Sequence, residues 1–374
     1  SVFLWVGFLK KFLSLFFVVS SFFLASGCYS SITLKREITL PEEDSKRIVD
    51  PDSLRVVTVL EANGNFFRNS LNFHKGYLFA AEYSGRIYAF EPDKFEENGY
   101  ASTRNTTIVS APVFRGNQMY YLYKKKQNPA FQFVKYDILK GKEEFDKKLP
   151  AIGNGALFDA DGLIVAVADN GVFFLDSNST LIKQLEINGS ISSVVLQFPG
   201  KIVAGLTTGE ICEISTTSKE INYFDCGTKD VVTAFYPVGD NYLVAFESGG
   251  IKLAGREGYE FWSVKTAKIE AVPLISGGEV IVGDLAGKVY RISLKTGDVR
   301  ATFDSGGMID LKAFATKSRI IIAAADGRII LLDKEKMKPL QEMQTGGRIR
   351  TEILHYGGLL FIGCDNGNIL VIHI

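Results

Sequence analysis

Four aspartates lie within three residues of a glycine, between two apolar runs, where a carboxylate could act as a base or bind a cation. They are Asp169, Asp284, Asp326 and Asp365. The clearest example is the stretch AAADGRIILLD (323–333). Asp-Gly between two β-rich runs is also a strong signal for a tight hairpin, because glycine adopts positive φ freely and aspartate tolerates it. Recurrence distinguishes the two interpretations, since a catalytic residue is rarely repeated at every turn of a fold.

The glycine that closes each of these turns recurs at a regular interval. Spacings of 38, 40, 38, 40 and 40 residues separate Gly171, Gly209, Gly249, Gly287, Gly327 and Gly367. Gly85 precedes Gly171 by 86 residues, which is two periods, and a degenerate repeat occupies 118–138. Eight such repeats with several short strands each predict an all-β fold, an eight-bladed β-propeller of four-stranded antiparallel blades. The turn acids are therefore interpreted as hairpin residues, with a ligand role as the alternative.

The sequence offers few other candidates for catalytic or metal-binding residues. The three histidines, His74, His355 and His373, lack the spacing of a zinc site. The chain has neither a G-x-S-x-G elbow nor a phosphate-binding loop. Its 42 basic residues balance its 42 acidic residues, which does not favour binding to nucleic acid. We therefore predict that the protein is not an enzyme and that it uses no metal, no cofactor and no nucleic-acid partner.

The N-terminal region differs from the repeats. Lys10 and Lys11 precede an apolar run at 12–24 that is too short to span a membrane, and small residues lead to Cys28. This pattern resembles the bacterial lipoprotein signal, which implies that Cys28 is acylated and becomes the new N-terminus. An ordinary signal peptide or a short anchor with an incidental cysteine is the alternative.

The predicted domains follow from these two regions. Residues 1–27 are a lipoprotein signal peptide, 28–53 are the lipidated cysteine and a polar tether, and 54–374 form the propeller. The eighth repeat lacks a fourth strand, so we predict that 54–60 pairs with the last strands and closes the ring, which removes exposed sheet edges. In the seventh repeat we place the strands at 309–314, 319–324, 328–333 and 339–344.

Three cysteines remain in the propeller. Cys212 and Cys226 belong to the same repeat, but the hairpin register does not place them opposite each other. Free buried thiols are the first interpretation for these two and for Cys364. A bridge between Cys212 and Cys226 in an oxidising compartment stays open.

The repeats resemble those of the quinoprotein-like propellers, best in EVIVGDLAGKVYRISLKTGDVR (279–300) with its Lys-Thr-Gly turn. The lipoprotein signal, the polar segment after it, the eight repeats and the final DNGNILVI strand together resemble the BamB family of outer-membrane assembly lipoproteins. That family usually has tryptophan near the outer strand of many blades, whereas here only Trp262 is so placed.

This resemblance implies a non-catalytic lipoprotein scaffold on the periplasmic face of the outer membrane, a monomer within a complex. Such a scaffold binds a periplasmic domain of the β-barrel insertase (BamA-like) and aids insertion of outer-membrane proteins. In the family the contact uses the connections between blades 3 and 4 and between blades 4 and 5. These correspond in this chain to 186–193 and 225–232, and the resemblance assigns partner binding to Ile187 and Asp230.

Two other functions stay open. A periplasmic or surface propeller could bind a glycan or another ligand, and the aromatic stretch MYYLYKKK (119–126) is a small candidate for it. A quinone-dependent dehydrogenase is less favoured. The enzymes of that class that the repeats resemble carry a vicinal cysteine pair and a stacking tryptophan, and this chain has no Cys-Cys and one tryptophan in its propeller.

Overall fold

The computed structural model describes residues 31–34, 36–38, 48–103 and 105–374. Cys28 and the predicted signal peptide at 1–27 lie outside the described residues. From Arg55 onward the chain forms strands, numbered β1–β33 in chain order, and they group into eight antiparallel sheets. The predicted eight-bladed β-propeller is confirmed.

In each of the first four blades the strands follow chain order from the centre of the ring outward. Blade 1 contains β2 (Phe66–His74), β3 (Tyr77–Glu82), β4 (Arg86–Glu91) and β5 (Glu96–Ser102). Blade 2 contains the short inner strands β6 (Thr106–Ile108) and β7 (Val113–Arg115), then β8 (Gln118–Lys125), β9 (Asn128–Asp137) and β10 (Lys142–Lys148). Blade 3 contains β11 (Gly155–Ala160), β12 (Leu163–Ala168), β13 (Gly171–Leu175) and β14 (Leu181–Leu185). Blade 4 contains β15 (Leu196–Phe198), β16 (Lys201–Gly205), β17 (Glu210–Ser215) and β18 (Ile221–Asp225).

The remaining blades are built in the same way. Blade 5 contains β19 (Val232–Val238), β20 (Asn241–Phe246), β21 (Ile251–Ala254) and β22 (Glu260–Val264), with a 3-10 turn at Arg256–Gly258. Blade 6 contains β23 (Leu274–Ser276), β24 (Glu279–Gly283), β25 (Lys288–Ser293) and β26 (Val299–Asp304). Blade 7 contains β27 (Phe314–Ala315), β28 (Arg319–Ala323), β29 (Arg328–Asp333) and β30 (Lys338–Gln344). Blade 8 contains β31 (Leu354–Tyr356), β32 (Leu359–Gly363), β33 (Asn368–His373) and, outermost, β1 (Arg55–Glu61).

Strand β1 closes the ring as the sequence predicts. It is the outermost strand of blade 8 and pairs antiparallel with β33, from Arg55 opposite His373 to Glu61 opposite Asn368. Blade 8 therefore contains the first and the last strand of the propeller. This pairing gives the C-terminal strand a partner on both edges and joins the two ends of the ring by main-chain hydrogen bonds.

The core lies between blades, where apolar faces of neighbouring sheets meet. The middle strands are buried on both faces, as in β12 and β13, because each blade packs on two neighbours. One such cluster joins Leu122 and Phe133 of blade 2 to Leu157 and Ile164 of blade 3. The repeats therefore place apolar side chains on successive residues of these strands instead of in strict alternation.

The inner strands are shorter than predicted. In blade 7 the sequence predicts an inner strand over 309–314, whereas the ladder contains only Phe314–Ala315. Ile309, Leu311 and Ala313 are buried, and Asp310 and Lys312, which alternate with them, are partly exposed, so the segment before Phe314 has an alternating burial pattern. It has no regular ladder partner and is held by single contacts, such as the Ile309 N–H donating to the Asp284 carbonyl oxygen at 3.1 Å.

The segment predicted to be a polar tether packs against the ring in its described part. Ile32, Leu34 and Ile38 are buried in the cluster formed by blades 1 and 2. The Leu34 N–H donates to the Ile138 carbonyl oxygen at 2.9 Å, and the Ile38 N–H donates to that of Lys75 at 3.1 Å. We name residues 32–34 and 36–38 the strap. Their alternating apolar side chains explain why this part is held against the blades instead of extending freely.

The three propeller cysteines are free and buried, which confirms the first interpretation. In blade 4, Cys212 lies opposite Tyr223 in the ladder, and Cys226 follows the outer strand. Burial raises the pKa of both Cys212 and Cys226 to about 12. Both thiols are therefore protonated at neutral pH and poorly nucleophilic.

Candidate functional site

The two loops predicted to bind a partner lie side by side. We name the side of the ring that carries the connections between blades the connection face; it also carries the hairpin turns between the second and third strands. The blade 4 hairpin turn at 206–209 lies between the two loops. The Ser190 carbonyl oxygen accepts from the Thr207 N–H at 2.9 Å, and the Val232 N–H donates to the Leu206 carbonyl oxygen at 3.2 Å. Loops 186–193 and 225–232 therefore form one continuous surface, which we name the loop surface.

Ile187 is half-buried and packs against the apolar cluster between blades 3 and 4. Its side chain therefore packs beneath the loop surface, and only part of it is exposed to solvent. The next residue is fixed too, because the Asn188 N–H donates to the Tyr223 hydroxyl at 2.9 Å. Tyr223 is 39% exposed, so the loop surface includes an aromatic side chain that sequence reasoning did not assign to it.

Asp230 is half-buried and engaged within the ring. One carboxylate oxygen, Oδ2, accepts from the Ser248 hydroxyl and from the Ser248 N–H at 3.3 Å. Its own N–H donates to the Thr228 hydroxyl at 3.1 Å. The other oxygen, Oδ1, has no hydrogen-bond partner among the described residues. Asp230 therefore presents a fixed, outward acceptor at the junction of blades 4 and 5.

The turn acids accept hydrogen bonds from the main chain. The Arg348 N–H donates to Asp365 at 2.9 Å and the Asn154 N–H donates to Asp169 at 3.0 Å. Each bond joins a hairpin turn to the segment that leads into the inner strand of the same blade. Asp284 does the same and is fully buried. The hairpin interpretation explains these carboxylates, since they tie the turn to the centre of the ring.

Asp326 is also a hairpin residue, but its carboxylate lies on the exposed side of the turn. It accepts from the Arg328 N–H at 3.2 Å and from Arg328 Nε at 2.9 Å. The Arg328 guanidinium lowers the pKa of Asp326. Gly327 has φ of +92°, and a Cβ there would clash with the Gly347 carbonyl oxygen, so this turn requires glycine.

The centre of the ring contains a cavity of about 620 Å³ that opens on the connection face. A second cavity of about 290 Å³ shares Asn69 and Val194 with it and continues toward the other face. Phe67 and Tyr83 lie at the wall of the larger cavity, with ring centroids 5.2 Å apart. This is the size range of pockets that bind small ligands or short segments of chain.

Arg68 divides the channel. From blade 1 its guanidinium reaches the Glu270 carbonyl oxygen at 3.0 Å and that of Asp310 at 2.5 Å, in blades 6 and 7. Its Nε lies 3.7 Å from Glu352 Oε1. Burial raises the pKa of Glu352, and the Arg68 charge opposes that shift. Ionic side chains therefore cross the channel toward blades 6 to 8, whereas most residues that line the larger cavity come from blades 1 to 4.

The histidines stay apart from one another. His74 stacks on Phe114 with its Nε2 2.7 Å from the Gly116 carbonyl oxygen, and His355 stacks on Phe314. Burial lowers the pKa of both. Among the described residues no group of three or more His, Cys, Asp or Glu side chains is arranged to hold a metal ion. Within that same part of the chain, no helix has the length and apolar character needed to cross a membrane.

Comparison with known proteins gives structural neighbours only. The chain matches no family model and no curated protein sequence. It is similar to the crystal structure of BamB from Moraxella catarrhalis, with 13% identity and a TM-score of 0.70 over 86% of this chain and 100% of that one. It is also similar to the computationally designed protein Ika8, with 16% identity and a TM-score of 0.68 over 84% of this chain and 98% of that one. A designed ring matches about as well as a natural one, so these similarities show the fold alone.

Proposed function

We propose that this protein is a non-catalytic lipoprotein scaffold of the outer-membrane β-barrel assembly machinery. Acylated at Cys28, it is held on the periplasmic face of the outer membrane. Its loop surface binds the periplasmic part of the BamA-like barrel insertase, and the complex aids insertion of outer-membrane proteins. The protein is a monomer within that complex.

The observation that carries this proposal is the continuity of the loop surface. The family resemblance in the sequence assigns partner binding to two loops that are about 40 residues apart. The fold brings those loops together across one hairpin turn, with Tyr223 and the free oxygen of Asp230 on the surface. Aromatic side chains are enriched in protein interfaces, where they contribute much of the affinity. The proposal requires a propeller of the BamB type, and the chain is similar to BamB in fold.

A non-catalytic role agrees with how the carboxylates are used. Asp169, Asp284 and Asp365 accept main-chain hydrogen bonds within their own blade, and Asp326 pairs with Arg328. These carboxylates hold turns in place and stand apart from one another around the ring. They support a rigid frame that presents loops, as propellers do.

The test is an affinity pull-down of the tagged protein, extracted from the membranes of its own host. We expect recovery of the insertase and a strong loss of it with Asp230→Lys, because that change reverses the charge of the fixed acceptor. The matched control is Asp304→Lys, an exposed acid that ends the outer strand of blade 6 on the same face. Cys28→Ala tests the anchor and should release the protein from the membrane.

Two results would contradict the proposal. The first is recovery of correctly acylated protein without the insertase. The second is equal loss of the insertase with Asp230→Lys and Asp304→Lys, because a general charge effect would then replace a specific contact. Circular dichroism of each variant shows whether the ring is intact before the pull-downs are compared.

A further inference from the structure

The larger central cavity is lined by two runs of consecutive residues from neighbouring blades. Residues 154–158 belong to blade 3 and residues 191–195 lead into blade 4. A lining made of consecutive residues exposes main-chain groups as well as side chains. The chemistry of this wall is therefore largely that of extended polypeptide.

The blade 3 run presents the free edge of a strand. β11 is the innermost strand of its sheet and pairs only with β12 among the described strands. In an antiparallel pair, about half of the N–H and C=O groups of an edge strand point away from the partner. For β11 these groups point toward the channel. Ala156 adds only a small side chain to the cavity wall, whereas a Cβ at Gly155 would clash with Phe131, so this glycine allows blades 2 and 3 to pack closely.

The start of the blade 4 run pairs with its own blade, because Ile191 bridges to Leu206 and the Ser192 N–H donates to the Gly205 carbonyl oxygen at 2.9 Å. The residues that follow are held by side chains. Ser193 Oγ accepts from the Gly205 N–H at 2.7 Å and donates to the Val194 carbonyl oxygen at 3.1 Å. Ser192 Oγ donates to the Val232 carbonyl oxygen at 2.7 Å. The N–H groups of Ser193, Val194 and Val195 have no hydrogen-bond partner among the described residues. Unpaired main-chain donors beside a cavity favour a ligand that can accept from them.

The rest of the cavity has room for such a ligand. Ala111 of blade 2 adds a further small side chain to the wall. Arg68 crosses the channel on the side of blades 6 and 7 and is occupied by two carbonyl oxygens there. The aromatic side chains of Phe67 and Tyr83 lie in the same wall, and Tyr83 is 48% exposed.

We propose that this slot binds an extended polypeptide segment, which adds to the inner edge of β11 and accepts or donates main-chain hydrogen bonds on both sides. Recognition of this kind depends on the peptide main chain more than on its sequence. The inference rests in part on the proposed function, since an unfolded barrel protein supplies extended segments with alternating apolar and polar side chains. The slot itself follows from the geometry of β11 and residues 191–195.

The experiment uses the purified protein and a fluorescein-labelled decapeptide of alternating valine and threonine with lysine at both ends. Fluorescence anisotropy gives its affinity. A scrambled peptide of the same composition should bind within about threefold, because the main chain carries recognition. A peptide N-methylated at alternate residues should bind at least about tenfold more weakly, since several main-chain hydrogen bonds are lost.

Variants of the protein locate the site. Ala156→Trp and Ala111→Trp fill the slot from blades 3 and 2, and each should weaken binding by about tenfold or more. Ala286→Trp is the matched control, because Ala286 is exposed on the connection face in the blade 6 turn, outside the cavity. It should bind the peptide as the parent does. Two slot variants from different blades keep the test valid if one of them fails to fold.

Equal binding of the N-methylated peptide would overturn the proposal, and so would full binding by both slot variants. Failure of the peptide assay leaves the insertase pull-down unaffected, because the pull-down reports on the loop surface and the peptide assay contains no insertase. Failure of the pull-down alone would leave a peptide-binding ring with a different partner.

Discussion

Removing the buried turn acid Asp284 should destabilise the ring strongly, whereas removing the exposed turn acid Asp326 should not. The Asp284 carboxylate accepts from the N–H groups of Ala267, Ala286 and Lys288 at 3.2, 3.0 and 2.9 Å and from the Tyr290 hydroxyl at 2.9 Å. Asp284→Ala leaves these four donors without their acceptor in a site that is fully buried.

The magnitude follows from those four bonds. Each net hydrogen bond contributes about 1 kcal/mol, and bonds to a charged group contribute more, so we expect a loss of about 3–5 kcal/mol in the free energy of unfolding. Asp284→Asn keeps the shape and one acceptor oxygen, so it should cost about 1–2 kcal/mol. Asp326 is 44% exposed at its side chain and pairs with Arg328, so Asp326→Ala should cost less than about 1 kcal/mol.

The assay is urea unfolding of the propeller followed by the fluorescence of Trp262, the only tryptophan after Cys28. Its Nε1 donates to the Leu294 carbonyl oxygen at 2.9 Å, so it reports on the contact between blades 5 and 6. The same titration followed by circular dichroism checks that the whole ring unfolds together. If Asp284→Ala cost no more than Asp326→Ala, the structural role of the turn acids would be refuted and a ligand role would have to be reconsidered.

Three further predictions concern other parts of the ring. Leu34→Asp places a charge in the buried contact of the strap and should lower the free energy of unfolding by about 3 kcal/mol or more. Glu37→Ala, on the exposed side of the strap, should leave the free energy of unfolding unchanged in the same urea titration. The thiols of Cys212 and Cys226 should react with a thiol reagent only when urea unfolds the ring, because burial raises the pKa of both to about 12; rapid labelling of the native protein would contradict this. Burial lowers the pKa of His355 below its unfolded value, so the unfolded chain takes up the proton first and stability should fall as pH drops below about 6.5. His355→Gln should reduce that dependence between pH 7 and pH 5, measured as the shift of the urea midpoint, and an unchanged dependence would argue against it.

Local sequence rules account for the parts of the fold that could be predicted. The hairpin turn of a blade requires a residue with positive φ, as at Gly327. The regular recurrence of such glycines along the sequence therefore gives the number of blades. The missing strand of the last repeat and the spare strand at β1 together predict ring closure, because an unpaired edge is unfavourable. The predicted inner strands are too long, since their alternation continues through segments that have no ladder partner.

The candidate site could be predicted only as two loops with one residue in each. Ile187 proved to be half-buried support and Asp230 a fixed acceptor, and Tyr223 joined them through a hydrogen bond from Asn188. A signal for Tyr223 existed, since it is an aromatic residue in the outer strand of blade 4, but its exposure depends on the neighbouring loop. The strap escapes prediction because its three apolar residues are separated by polar and charged ones.

The sequence by itself determined the number of blades, the hairpins and the way the ring closes. Each of these depends on residues close together in the chain or on a simple count of strands. Tertiary structure alone decided that Asp284 is buried while Asp326 is exposed, and that Arg68 crosses the channel to blades 6 and 7. The reason is physical: burial and long-range contact depend on which blades become neighbours, and residues such as Arg68 and Asp310 meet only after the ring has closed.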